Sequence, residues 1–420
     1  MFERLSQPGR IARIAELERL KAAHSAEQAQ LTVEFDTERR AAEEAAGMAA
    51  AKRGRGVGSE IALARRDSPN RGSRHLGFAQ ALVKEMPHTL AALAAGALSE
   101  WRATLIVRES ACLRVEDRRT LDEEMCADQS KLDGCGDARI AADAKAIAYR
   151  LDAQAVVERA AKAERERCVT IRPAPDTMTY VTALLPVAQG VSVYAALKRA
   201  ADSTFDERSR NQVMADTLVE RVTGQAKADA VPIAVDVVLS DSTLTGDDDP
   251  ALIPGYGPIP AEVACRLVTK AVADPDSKAT LRKLYARPDT GALVAMESRA
   301  RAFPKALAKF LELRDQRCRT PYCDAPVRHL DHITPKAQGG PTSGDNGQGL
   351  CEHCNYVKEL AHWKVTVGVD ESGRHSTTVE TPTGEHHHSL APPILPGRRK
   401  IDYSEIEQRI GVTLYDLHAA

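Results

Sequence analysis

Cys318-Arg-Thr-Pro-Tyr-Cys323, Arg328-His-Leu-Asp331-His332-Ile-Thr-Pro, Gly339-Gly-Pro and Asp345-Asn346-Gly-Gln-Gly-Leu-Cys351-Glu-His-Cys354-Asn355-Tyr-Val-Lys358 follow one another within residues 318–358. Two cysteine pairs with short internal gaps are a zinc-site pattern. Thiolates are soft donors, and four of them close a tetrahedral site with no open position. Zinc held by Cys318, Cys323, Cys351 and Cys354 is therefore expected to hold the fold rather than to activate water. His353 lies inside the second pair and is expected on the surface. The long gap between Cys323 and Cys351 leaves room for a hairpin and a loop between the two knuckles.

Within that gap Asp331 and His332 are consecutive. A carboxylate suits a hard cation, and a neutral imidazole beside it can serve as a base. Together they supply the chemistry that phosphodiester hydrolysis needs. Residues 327–333 have strand character, and neighbouring strand side chains point to opposite faces. The strand is therefore expected to end or bulge at this pair, with Pro335 just beyond. His329 shares the face of Asp331 and is expected to pack.

With these residues in their order, the segment resembles an HNH endonuclease, a ββα-metal nuclease with a zinc-stapled core. The resemblance implies His332 as the general base and Asn346 as the residue that pins the following loop and orients the imidazole. Asn355 stands at the third position, where the motif name has His, so this is an H-N-N variant. An amide oxygen can ligate a hard cation, which implies Mg²⁺ or a similar divalent ion held by Asp331 and Asn355. Arg319, Arg328, Lys336 and Lys358 are the candidate phosphate contacts. Two further stretches, Leu82-Val-Lys-Glu-Met-Pro-His-Thr-Leu and Pro254-Gly-Tyr-Gly-Pro-Ile-Pro-Ala-Glu, resemble the amino-terminal domain of actinobacterial 13E12-repeat proteins. In that family a domain of unknown function precedes an HNH domain of this kind.

The chain has 420 residues, a formal charge of −2 and nine cysteines. That length implies two or three domains. A nearly neutral total means that contacts to a nucleic acid must come from local basic surface. An odd number of cysteines fits a reducing, cytoplasmic setting better than a disulfide framework. No leader-like start or membrane-spanning apolar run is seen, and no small-molecule cofactor motif. The scattered Cys112, Cys126, Cys135, Cys168 and Cys265 lack ligand spacing.

The fold class is α+β. Residues 1–58 comprise an amino-terminal helix, through about residue 50, and a glycine-rich basic linker, Lys52-Arg-Gly-Arg-Gly-Val-Gly58. The apolar spacing of Ile11, Ile14, Leu17, Leu20, Leu31 and Phe35 suits packing on its own domain or a homodimer through this helix. Residues 59–300 form a domain that is all-helical to about 165 and α+β beyond. In that second part strands are expected near 169–173, 179–186 and 231–239, and helices near 189–202 and 208–223. The nuclease domain is set at 301–370, and 371–420 reads as an extended Pro/Gly-rich tail. His386, His387 and His388 within it read as solvated side chains.

Three functions fit these residues. The first is a metal-dependent endonuclease acting on DNA. The second is a catalytically inactive zinc-stapled nucleic-acid-binding protein of mobile-element origin. The third makes residues 59–300 a protein-interaction scaffold that carries the nuclease.

Overall fold

The computed structural model describes residues 6–224, 237–239, 248–254, 256–273, 297–298 and 302–395. Two compact units divide the chain near residue 231.

The first unit is helical as far as residue 165. Helix α1 spans Gln7–Ala45, with the Ser6 hydroxyl capping its first turn. Ala22, Ala26, Ala29 and Val33 recur at three- and four-residue spacing, and all four are buried in the unit's own core. The stripe of α1 is thus used internally from Ala22 onward. Ile11, Ile14 and Leu17, the part that dimerisation would need, stay exposed. Lys52–Gly58 is not a linker. The Arg40 guanidinium donates to the Arg53 carbonyl, and the Gly54 N–H donates to Glu43, so the segment is an ordered turn. It leads directly into α2 (Val57–Ala64).

Helices α3 (Pro69–Glu85) and α4 (Pro87–Ala95) meet at the Met86-Pro87 break, as the proline requires. Helices α5 (Glu100–Ser110), α6 (Val115–Cys126), α7 (Asp137–Leu151) and α8 (Ala153–Arg165) complete the bundle. Its core gathers Leu82, Met86, Leu93, Ile106, Leu121 and Ile140. Gly72 lies where α3 crosses α2, and a Cβ there would sit 2.0 Å from the Gly58 carbonyl. The hairpin β1 (Cys168–Ala174) and β2 (Met178–Leu184) follows, then α9 (Val187–Asp202) and α10 (Arg210–Thr223). Of the strand expected at 231–239, residues 231–236 lie outside the described residues, and Val238 bridges Leu252.

The second unit opens with the hairpin β3 (Ala251–Ile253) and β4 (Gly257–Ile259), which packs on α11 (Ala261–Ala273). Strand β5 (Glu297–Ser298) and α12 (Lys305–Asp315) precede the cysteine-rich segment. In that segment β6 (His329–His332) pairs antiparallel with β8 (Gly347–Leu350), and β5 pairs with β7 (Thr342–Ser343). Helix α13 (Glu352–Lys358) closes a ββα unit with β6 and β8. The apolar side of α12, Leu307, Phe310 and Leu311, packs beneath Leu330 of β6.

Residues 371–420 are not simply an extended tail. Strands β9 (Lys364–Val369), β10 (His375–Glu380) and β11 (His386–Leu390) form a three-stranded antiparallel meander. A boundary at residue 370 would cut this sheet between β9 and β10. Alternation explains it: His375, Thr377 and Val379 are buried while the residues between them are not, the period-two signature of a half-buried strand. Gly373 takes a left-handed φ of 76° in the turn before β10.

Buried His375 donates from Nε2 to the Asp345 carbonyl at 2.8 Å. Burial pushes its pKa down to about 4, aided by the nearby Arg314 guanidinium. The unfolded chain takes up this proton near the ordinary value of about 6.5. Between these two values the unfolded state binds more protons, so stability falls as pH falls from about 6.5 to about 4 and is complete above that window. By pH 4 the loss is expected to reach about 3 kcal/mol. Unfolding followed across this range checks it, and His375→Gln should flatten the pH dependence.

Candidate active site and metal centre

The four cysteine sulfurs predicted as one zinc site lie within 4.8 Å of one another. Each knuckle is shaped by its own backbone. In the first, the Cys318 N–H donates to the Ala325 carbonyl, and Tyr322 takes a left-handed φ of 63° that turns the chain toward Cys323. In the second, at the start of α13, the Cys354 N–H donates to Cys351 Sγ at 3.4 Å. Four converging thiol groups with no carboxylate among them fit zinc and leave no position for water. His353 is exposed, outside this cluster.

Strand β6 runs in regular register, Asp331 opposite Gln348 and His332 opposite Gly347, and ends at His332. The strand thus ends at this pair, one of the two ways the sequence allows. His332 turns toward the α12 side. Its ring stacks on Phe303 with centroids 4.5 Å apart, and Nε2 lies 3.0 Å from Thr342 Oγ1. Burial lowers its pKa below the ordinary histidine value, Asp331 pulls the other way, and Lys336 and Lys358 add to the lowering. The shift favours the neutral ring, the form a base requires.

Asp331 and His329 face α13. His329 packs against Tyr356 with ring centroids 6.4 Å apart. The Lys358 ammonium lies 2.8 Å from Asp331 Oδ2 in an ion pair and donates to the His332 carbonyl at 3.0 Å. Asp331 Oδ2 is buried beside this one charge, and Asn355 Oδ1 and Gln348 Nε2 are buried without a hydrogen-bond partner. Asn355 stands one turn before Lys358 on α13, hence on the same helix face. Buried polar atoms rarely lack partners. An unpartnered amide oxygen and a carboxylate on neighbouring elements are oxygen donors that fit a hard divalent cation such as Mg²⁺.

Asn346 is buried, and both ends of its amide are engaged. Oδ1 accepts the Thr334 N–H at 2.8 Å, while Nδ2 donates to the carbonyls of Thr334 at 3.0 Å and Pro341 at 2.7 Å. It closes the loop between β6 and β7. Gly340 is required there, since a Cβ would lie 1.9 Å from the Thr334 carbonyl.

The candidate phosphate contacts separate. Arg328 and Lys336 are exposed. Arg319 is a correction: it is buried, and its guanidinium donates to the Ser389 carbonyl at 2.8 Å, so it supports β11. Lys358 is engaged with Asp331 and His332 and is nearly buried, so it belongs to the interior of the site rather than to its surface. Sequence reasoning missed Phe303, Thr342, Gln348 and His375, since none carries a motif. The period-two pattern of β10 was the one available signal, and it pointed to His375.

Removing one sulfur should open the cluster. Cys351→Ser is expected to lose zinc and unfold the ββα unit while the helical bundle of residues 7–165 keeps its own melting transition. Metal content and the two transitions, read together, check this. Full zinc retention in the variant would contradict it.

A family model described as a domain of unknown function (DUF222) matches residues 11–315, and one described as HNH endonuclease matches residues 316–359. No curated protein and no solved structure matches the chain. Among the described residues no helix is long and apolar enough to cross a membrane. The first match spans well over half of the sequence, and the second coincides with the four cysteines, Asp331-His332 and Asn346 in their ββα setting. The chain therefore belongs to the DUF222 family and carries an HNH endonuclease domain directly behind its DUF222 region.

Proposed function

We propose that this protein is a metal-dependent HNH endonuclease that hydrolyses DNA phosphodiester bonds. The observation that carries the reading is the buried Asn355 Oδ1, which has no hydrogen-bond partner, on the helix face that meets Asp331, next to an imidazole whose pKa burial lowers. A binding module has no use for this combination, whereas a hydrolase does.

In this reading Asp331 and Asn355 hold one divalent cation, Mg²⁺ or similar. When bound, it stabilises charge on the phosphate and the leaving 3′-oxygen. His332 takes the proton of the attacking water. Its Nε2 faces Thr342, so Nδ1 is the nitrogen that receives the proton. Asn346 fixes the loop that carries Thr342. Arg328 and Lys336, exposed near this site, contact the DNA backbone and position it without reading sequence. Zinc on Cys318, Cys323, Cys351 and Cys354 keeps the ββα unit folded and takes no part in the chemistry. A reducing cytoplasm suits four thiolates that must stay unoxidised.

His332→Ala is expected to lower plasmid cleavage by roughly 10²–10⁴-fold, the usual contribution of a general base. DNA binding and zinc content should stay close to wild type. A variant that cuts as fast as wild type removes His332 from the mechanism.

The catalytic cation should be held more weakly than zinc, since only two protein oxygens are offered. Brief EDTA treatment is expected to stop cleavage without unfolding, with Mg²⁺ or Mn²⁺ restoring it. Asn355→Ala should need higher Mg²⁺, whereas Asn355→His should stay active with a shift toward Mn²⁺ or Ni²⁺. An unchanged Mg²⁺ requirement in Asn355→Ala would show that this residue is no ligand.

A further inference from the structure

Nothing in the motif explains how the His332 ring is held, and the middle asparagine of the motif does not hold it directly. The Asn346 side chain spends its donors on the carbonyls of Thr334 and Pro341 and its oxygen on the Thr334 N–H. Its own N–H donates to Ser343 Oγ at 3.1 Å. Pro341 and Ser343 are the two chain neighbours of Thr342. Asn346 therefore holds the Pro341 carbonyl on one side of Thr342 and the Ser343 hydroxyl on the other, and Thr342 is the residue that meets the ring.

Thr342 has no solvent exposure. It is the first residue of β7, fixed by pairing with Ser298 of β5. Its Oγ1 lies 3.0 Å from His332 Nε2, while Phe303 covers a face of the ring at 4.5 Å. A stacking ring restricts tilt but does not choose between the two nitrogens of a neutral imidazole. A hydroxyl in a fixed place occupies Nε2, and since it can donate or accept there, the direction follows from the role of the ring: a base with Nε2 occupied needs its free lone pair on Nδ1, so Nε2 carries the hydrogen.

We propose that Thr342 is the positioning residue for His332: its Oγ1 accepts the Nε2–H and so fixes the tautomer that leaves Nδ1 as the basic nitrogen. Asn346 acts on the ring only through Thr342. The catalytic half of this inference rests on the reading of His332 as general base. The tautomer half takes its direction from the same reading, the contact itself fixing only that Thr342 occupies Nε2.

The full-length, zinc-loaded protein labelled with ¹⁵N-histidine tests the tautomer half directly. Long-range proton–nitrogen correlations, with the His332 signals assigned by their absence in His332→Ala, should show a neutral ring protonated at Nε2 near pH 7.5. In Thr342→Val, which keeps the side-chain shape and removes the acceptor, the two tautomers should mix. A wild-type ring protonated at Nδ1, or mixed tautomers in wild type, would overturn the proposal.

Plasmid cleavage tests the catalytic half. Thr342→Val is expected to slow kcat roughly tenfold to hundredfold, the scale of one lost hydrogen bond to a buried group, with little change in KM. Thr342→Ser keeps the hydroxyl and should recover most of the rate. In the His332→Ala background Thr342→Val should cause no further loss, because the residue acts only through the ring. An unchanged kcat in Thr342→Val, a Thr342→Ser protein as slow as Thr342→Val, or an added loss in the His332→Ala background would each overturn it. If Thr342→Val does not fold, Thr342→Ser and the wild-type tautomer decide. If wild type and His332→Ala cleave equally, the general-base reading fails, and the nitrogen spectra still test the hydrogen bond on their own.

Discussion

The carboxylate of Asp315, with no solvent exposure, is the interaction on which the second unit depends. It receives two hydrogen bonds from the Arg314 guanidinium, at 2.7 and 2.9 Å, and one from the Gly349 N–H at 2.7 Å. Arg319 approaches it at 3.7 Å. An isolated buried carboxylate would be very costly, and deleting one partner of such a network leaves a bare buried charge worth about 3–5 kcal/mol. The second positive charge is spread over carbonyls. Arg314 donates to those of Gly344 and Gly347, and Arg319 to those of His375 and Ser389. One charge cluster thus ties the end of α12 to β8, to the loop that carries Asn346, and to the β10–β11 hairpin.

This arrangement explains why the ββα unit does not stand alone. The HNH match covers residues 316–359. Phe303 and α12, which support the His332 ring and β8, precede it, and the meander that Arg319 and His375 hold follows it. The division of labour inside the motif follows from the strand. Period two sends Asp331 toward α13, where Asn355 and Lys358 share a helix face, and sends His332 toward Phe303 and Thr342. The proposed metal ligands and the proposed base thereby have separate supports at the end of one strand.

Much of this was legible in the sequence, and for physical reasons. Cysteine spacing is a strong constraint, so the sulfur cluster could be read without a structure. The helical texture of residues 59–165 and the hairpin at 168–184 follow from proline and glycine punctuation and from alternation. The errors also have causes. Arg319 was read as a phosphate contact because a surface arginine and one buried against Asp315 have the same letter. The segment from Ser372 onward reads as a tail because Thr, Pro and Gly mask the alternation of His375, Thr377 and Val379. Thr342 was invisible because its role comes from a long-range strand pairing with Ser298.

The central claim is that one small ββα unit carries two chemically distinct metal positions, a closed thiolate site for the fold and an oxygen site for catalysis. Anomalous scattering from crystals of the zinc-loaded protein soaked in Mn²⁺ tests it most directly. The account predicts a zinc signal among the four cysteine sulfurs and a separate manganese signal against Asp331 and Asn355. A filled cysteine site with no manganese near Asp331 and Asn355 at saturating Mn²⁺ would contradict it.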